Sequence, residues 1–304
     1  MISRNGSLRS GRWAGRAVIV FLTAGIAQIG FAQPIYNSIP SPIPGNVASE
    51  GPEAYAFAEL GDGIVFAPNP PMNTLSSVKV VMSDWACTSG HWFNAVGTAD
   101  SCITGPAGAT FRQPITVKIY RLNAGSPPTA GVLLASATQV FDIPYRPSSD
   151  AAHCGVGGVP GGDGQEWYSA TDNACYHGIA FPIVFDLSTL NLVLPGSVII
   201  TVSFNTTHYG PSPVGEGAAC FASDNNCPYD SLNISTFGNT PSLGSFADTN
   251  GIFVNYANAA NSCNPQTTPT GILLDDTPCF TGFHPEIEVD VGYNILFFEW
   301  FFAG

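Results

Sequence analysis

Positive charge is the scarcest thing in this 304-residue chain. Nine Lys and Arg stand against 22 Asp and Glu, giving a formal net charge of −13 at neutral pH. A surface of that sign repels phosphate backbones and anionic lipid headgroups, which argues against nucleic acid as a partner. Charge of either sign is rare, at 10% of residues, so Ser, Thr, Asn and Gly must carry most of the solvated surface. Catalytic signatures are missing as well. The chain has no Gly-x-Ser-x-Gly elbow, no His-Glu-x-x-His, no phosphate-binding loop and no dinucleotide glycine pattern. It has no Cys-x-x-Cys and no paired His spacing either, which disfavours a structural zinc site. After residue 29 no apolar run reaches the roughly 20 residues that a membrane-spanning helix needs.

The cations that exist are unevenly placed. Arg4, Arg9, Arg12 and Arg16 precede an apolar run from Ala17 to Ile29, and Gly30-Phe31-Ala32 supplies small residues at the −3 and −1 positions of a cleavage site. This is the pattern of a bacterial-type export signal over residues 1–32, with Gln33 as the expected mature N-terminus. Removing it leaves Lys79, Arg112, Lys118, Arg121 and Arg146, five cations against 22 acids, a net charge of −17. The expected localisation is secreted, extracellular or periplasmic, with no membrane span once the signal is cut.

Eight cysteines follow the signal: 87, 102, 154, 175, 220, 227, 263 and 279. An even count in an exported chain reads as four disulfides. Pairing between neighbours, Cys87–Cys102, Cys154–Cys175, Cys220–Cys227 and Cys263–Cys279, is the simplest of the many possible arrangements, because each pair closes one loop. Apolar residues make up 45% of the chain, too many for disorder. The 33 glycines and 25 prolines therefore read as turns.

Strand patterns recur between those turns. Val78 to Met82 is β-branched; Ile115, Val117 and Ile119 alternate with Thr116, Lys118 and Tyr120, the period of a half-buried strand. Leu133–Ile143, Ile179–Phe185, Ser197–Asn205, Leu232–Phe237, Ile252–Tyr256 and Ile287–Val291 complete the set. In the last of these, Ile287, Val289 and Val291 should face the core, with Glu286, Glu288 and Asp290 opposite. Residues 53–60 suit a helical turn or a strand equally. No long segment carries a 3.6-residue period, which excludes a parallel βαβ architecture. The expected fold is all-β, an antiparallel, jelly-roll-like sandwich of one domain over residues 33–304, with long disulfide-stapled loops.

Residues 34–46, PIYNSIPSPIPGN, forbid a helix or a central strand through their prolines and favour an extended lead-in. With this opening, and with Trp85-Ala86-Cys87, Ile143-Pro-Tyr-Arg-Pro147 and Tyr229-Asp-Ser-Leu-Asn233, the chain resembles uncharacterised exported bacterial proteins that begin Tyr-Asn/Asp, then Pro-x-Pro-x-Pro-Gly-Asn. The resemblance implies export and a β-rich fold. It carries no activity and no catalytic residue.

The stretch Ile143–Cys175 interrupts the strand pattern. It is glycine-rich, reads as neither helix nor strand, and gathers Tyr145, Arg146, His153, Asp163, Glu166, Trp167 and Tyr168, with Tyr176 just beyond. A loop this long is functional or disordered, and its two cysteines argue for order. Rings with polar tips suit sugar- or protein-binding surfaces. Trp167, Tyr168, Tyr145, Arg146 and Tyr176 are accordingly the candidate binding residues, and a polysaccharide or a cell-surface protein the candidate partner. Trp85 and Trp92 fit small cores beneath the loops instead. His153 and His177 flank the expected 154–175 bridge and could converge on a shared site.

Asp163 and Glu166 are the candidate carboxylates for an alternative reading, a carbohydrate-active hydrolase or lyase, which needs two carboxyls about 5–10 Å apart. No cofactor is required by either reading. Asp224, Asn226 and Asp230 crowd oxygens around Cys227 and could hold a structural Ca²⁺, although Pro228 breaks any EF-hand pattern. The terminal run 295–302, ILFFEWFF, should pair as a last strand or insert into a second copy of the chain, because left bare it would aggregate. The function expected is that of a secreted, non-enzymatic binding or surface-structural protein. Mass spectrometry after alkylation without reductant should find no modified cysteine in the exported chain; two or more labelled thiols would overturn the stapled-loop reading.

Overall fold

The computed structural model describes residues 31–52, 57–68, 74–86, 88, 104–155, 162, 164–204, 232–236, 238–256, 271–276 and 281–293. All of these belong to one compact unit, Gly30–Tyr293. The signal segment before residue 31, Trp92, Asp163, the 224–230 oxygen cluster, the run 295–302 and six of the cysteines (87, 102, 220, 227, 263, 279) lie outside the described residues.

The described fold is an antiparallel β-sandwich. One sheet is built on β4 (Thr74–Asp84). One edge of β4 pairs with β9 (Ile179–Asp186) along Ser77–Asp84. The other edge is shared. β15 (Ile287–Tyr293) takes Thr74–Val80 and leads on to β1 (Phe31–Asn37); β11 (Leu232–Ser235) takes Met82–Asp84 and leads on to β2 (Ser49–Glu50). The second sheet runs in the order β14 (Leu273–Asp275), β13 (Ile252–Tyr256), β3 (Phe57–Val65), β10 (Ser197–Ser203), β5 (Thr110–Asn123), β6 (Thr129–Pro144), with β12 (Ser245–Phe246) also on β3. Except at the β5–β6 hairpin and the short β7–β8 hairpin described below, most connections carry the chain from one sheet to the other.

The alternation read from the sequence is the alternation of burial. In β5, Phe111, Ile115, Val117 and Ile119 are buried while Arg112, Thr116 and Lys118 face outward. They meet Val78, Val80 and Met82 of β4, Ile183 and Phe185 of β9, and Ile287, Val289 and Val291 of β15 in one apolar core. Full burial of each such side chain contributes about 1.5–3 kcal/mol before entropy is counted. Phe141 and Phe185 meet edge to face at 4.9 Å and tie β6 to β9.

β3 and the 143–175 stretch differ from the sequence expectation, and β1 agrees with it. β3 is a central strand that the strand patterns did not include, and it carries Gly61-Asp62-Gly63. Gly61 is needed there, because a Cβ would collide with the Ile200 carbonyl of β10, and β3 is the strand on which β10, β12 and β13 all pair. β1 carries Pro34 inside a strand. It lies at the edge of its sheet, with an irregularity between Pro34 and Tyr36, where a missing N–H costs least. The 143–175 stretch also contains regular structure, taken up below.

Among the described residues β6 is the outermost strand of its sheet, the position where long strands leave backbone groups without a ladder partner. The amide of Gln139 addresses it locally: Nε2 donates to the Asp186 carbonyl at 2.7 Å, and Asp186 N–H donates back to Oε1 at 3.3 Å. A side chain thus continues the hydrogen-bond ladder across the gap between the two sheets' edges.

Candidate functional site

Arg146 is where the long loop begins to be held. Its N–H donates to the Ala86 carbonyl just past β4, and its guanidinium donates to the Gln165 carbonyl from within the loop. The side chain is only 1% exposed. Four residues on, Asp150 starts a single helical turn, α1 (Ala151–Cys154), accepting from the Ala152 and His153 N–H groups at 3.1 Å each. An Asp before Ala-Ala-His is a capping signal; the sequence reading passed over it. The Asp150 N–H donates to the Glu166 carbonyl, and Gly164 N–H to Cys154, both at 2.8 Å. Cys154 is bonded to Cys175. These links fold the loop back on itself.

The returning chain makes a hairpin of β7 (Trp167–Ser169) and β8 (Ala174–Tyr176), turned at Asn173 with φ +53°. Asn tolerates the left-handed region better than most residues. Alternation sends the hairpin's side chains to two different places. Trp167 and its cross-strand partner Tyr176 lie 5.7 Å apart and close over Gly45 of the proline-rich lead-in. Trp167 donates its indole N–H to the Gly178 carbonyl at 2.6 Å. Asp172 fixes the same lead-in by accepting from Gly45 N–H and from the Ser169 hydroxyl. Burial first, and then the charge of Asp172, raise the Tyr176 phenol above its ordinary pKa.

Tyr168 points the other way and stacks on His153 with ring centres 4.5 Å apart and planes 11° from parallel. Its hydroxyl donates to Asn173 at 2.8 Å. His153 is exposed, and its Nδ1 meets Asp150 Oδ2 at 2.7 Å. That bond is the main cause lowering the Asp150 carboxyl below its usual range. Asp150 therefore caps the helical turn and orients the imidazole together.

The other candidates are placed as follows. Tyr145 packs on Phe111 at 5.0 Å and lies half-buried against the core. Glu166 is 8% exposed, with its carboxylate 3.9 Å from His177 Nε2. His177 stacks on Trp85 at 6.2 Å, so the two loop histidines go to different partners. Trp85 itself donates to Ser83, which donates to Asn46, joining the loop floor to the lead-in. Among the described residues no group of three His, Cys, Asp or Glu could hold a metal ion.

No family model, no curated protein and no solved structure matches this chain. The functional reading therefore rests on the site alone.

The geometry makes a direct claim about Gly45. A Cβ there would lie 2.8 Å from both Trp167 Cη2 and Tyr176 Cε2. Gly45→Ala should lower unfolding free energy by about 1–3 kcal/mol, as overpacking does, and alter the aromatic near-ultraviolet circular dichroism. Unchanged stability and spectrum would mean that the Trp167–Tyr176 pair does not rest on the lead-in.

Proposed function

We propose that the chain is an exported, non-enzymatic binding protein whose 145–178 loop takes neutral glycans. One observation carries the reading: the stacked His153–Tyr168 pair, half open to solvent and held in place by Asp150, Asn173 and the adjoining disulfide. Sugars offer C–H faces to aromatic rings and hydroxyls to nearby acceptors and donors. Both are present here on a surface fixed before any ligand arrives, which limits the ordering cost of binding. Neutral ligands are favoured because Asp150 and Asp172 flank the aromatics and the whole chain is acidic.

Trp167, Tyr176 and Arg146 serve this site from beneath. They fasten the hairpin to the lead-in and to the end of β4, and so position Tyr168 rather than meet the ligand themselves. Export agrees with the Cys154–Cys175 bond, since disulfides persist in oxidising compartments. The hydrolase reading is not taken up, because Glu166 lies inside the loop.

Retention on a panel of insoluble neutral polysaccharides, followed by titration with soluble oligosaccharides, tests the proposal. Tyr168→Ala should weaken binding roughly fivefold to tenfold, the scale of one aromatic contact, without changing thermal stability. Absence of retention on every polymer, or full binding by Tyr168→Ala, would count against it.

A further inference from the structure

A second polar cluster lies away from the loop, at the joint between the two sheets, and does not depend on the function proposed above. His284 sits just before β15 of one sheet and is 3% exposed. Its Nδ1 is 2.9 Å from Oδ2 of Asp62, a residue of β3 that turns inward between Leu60 and Ile64 and is 1% exposed. Its Nε2 faces the Thr249 carbonyl at 3.4 Å in the turn between β12 and β13. Phe246 of β12 stacks on the ring at 3.7 Å. One imidazole, on the segment that leads into β15, thus touches β3 and β12 of the opposite sheet and the turn that joins β12 to β13.

The donor count decides its state. A carboxylate and a carbonyl can only accept, whereas a neutral imidazole carries a single N–H. Both contacts are satisfied only when the ring is doubly protonated. An imidazolium is also what a buried carboxylate requires, because an unpaired charge there is expensive. The remaining charged and titratable groups that face the pair agree in sign. Asp248, in the same turn, adds negative charge toward both residues, and the Tyr36 phenol of β1 lies within the field of Asp62.

We propose that His284 is a pH-operated latch: protonated, it ties the 246–251 turn and the segment leading into β15 to Asp62 of the opposite sheet; deprotonated, it lets that end of the sandwich open.

The titrations run in the direction this needs. Burial opposes the charge on His284, but the hydrogen bond and charge of Asp62 outweigh it and raise the histidine above its ordinary value. Burial likewise pushes Asp62 up to about 6, against the opposing pull of His284. Both groups therefore hold protons more tightly in the closed state than in the open one. The histidine's share of the latch's stability is complete below its ordinary pKa and is lost as pH rises through the raised value, while the share of Asp62 is lost earlier, as pH rises through about 6.

Hydrogen exchange on the wild-type protein, corrected for intrinsic rate between pH 5 and 9, reads the latch at the Ala247 amide. That amide is bonded to the Gly63 carbonyl beside Asp62 at 2.7 Å. Protection at Ala247 should fall by up to tenfold per pH unit between the ordinary imidazole pKa and the raised His284 value, and level off above it. Amides of the β5–β10 pairing should hold constant. An NMR titration of the His284 ring fixes the midpoint, and the double variant His284→Gln/Asp62→Asn, which removes both titrating groups of the pair, should give Ala247 protection that no longer depends on pH. Protection at Ala247 that stays level while His284 titrates in the wild type, or that keeps its slope in the His284→Gln/Asp62→Asn variant, would overturn the proposal.

Discussion

A buried guanidinium holds the long loop, and the rest of that loop's order depends on it. Arg146 leaves the last strand of the β5–β6 hairpin and enters a stretch that no sheet edge can pair throughout its length. Backbone groups folded inward without partners are costly, so the loop is organised by polar side chains aimed at its own backbone. Arg146 answers Gln165, Asp150 answers the first N–H groups of α1, and Asp172 answers Gly45. The disulfide joins the helical turn to the hairpin that these bonds have already brought together. Each device acts on a different part of the loop, and the aromatic pair His153–Tyr168 is presented where they meet.

The same economy runs through the rest of the molecule. With so few charges, the protein places several of its carboxylates where neutral donors surround them. Glu59, 2% exposed, accepts from Tyr120, Thr201 and Asn255 and pairs with Lys118 at 3.2 Å. Glu286 accepts from Ser235 and Asn239, and burial still raises its pKa. Acids held in this way keep the sheets in register through specific contacts rather than through area alone. The raised carboxyl of Glu286 makes its part of this network more stable in acid than at neutral pH.

Much of the sandwich was legible because burial on one face imposes a period of two on β-branched and aromatic residues. β5, β9 and β15 announce themselves in this way, whereas β10 and β13 show as short, largely apolar runs buried on both faces. β3 did not, since Gly61 and Gly63 are there for close approach to neighbouring strands, a requirement set by β10 and β13 that no local window contains. In the loop, the residue types of the site could be read and their roles could not. Trp167 and Tyr168 are adjacent in sequence, yet hairpin alternation gives one to the lead-in and the other to the surface. Arg146 was grouped with the loop's aromatic residues as a ligand contact; it is buried, with its guanidinium donating to the Gln165 carbonyl nineteen residues away. His153 drew attention for its closeness to Cys154, whereas its position is set by Asp150, three residues before it.

The central claim is that this loop is folded before anything binds to it. Backbone amide exchange in the ligand-free, oxidised protein tests that most directly, at Asp150, Cys154, Gly164 and Gly45, whose N–H groups donate to Glu166, Asp150, Cys154 and Asp172. A prefolded loop predicts that all four exchange far more slowly than an open chain, as a linked set that loses protection together when the Cys154–Cys175 bond is reduced. Exchange at open-chain rates in the oxidised protein would contradict the account.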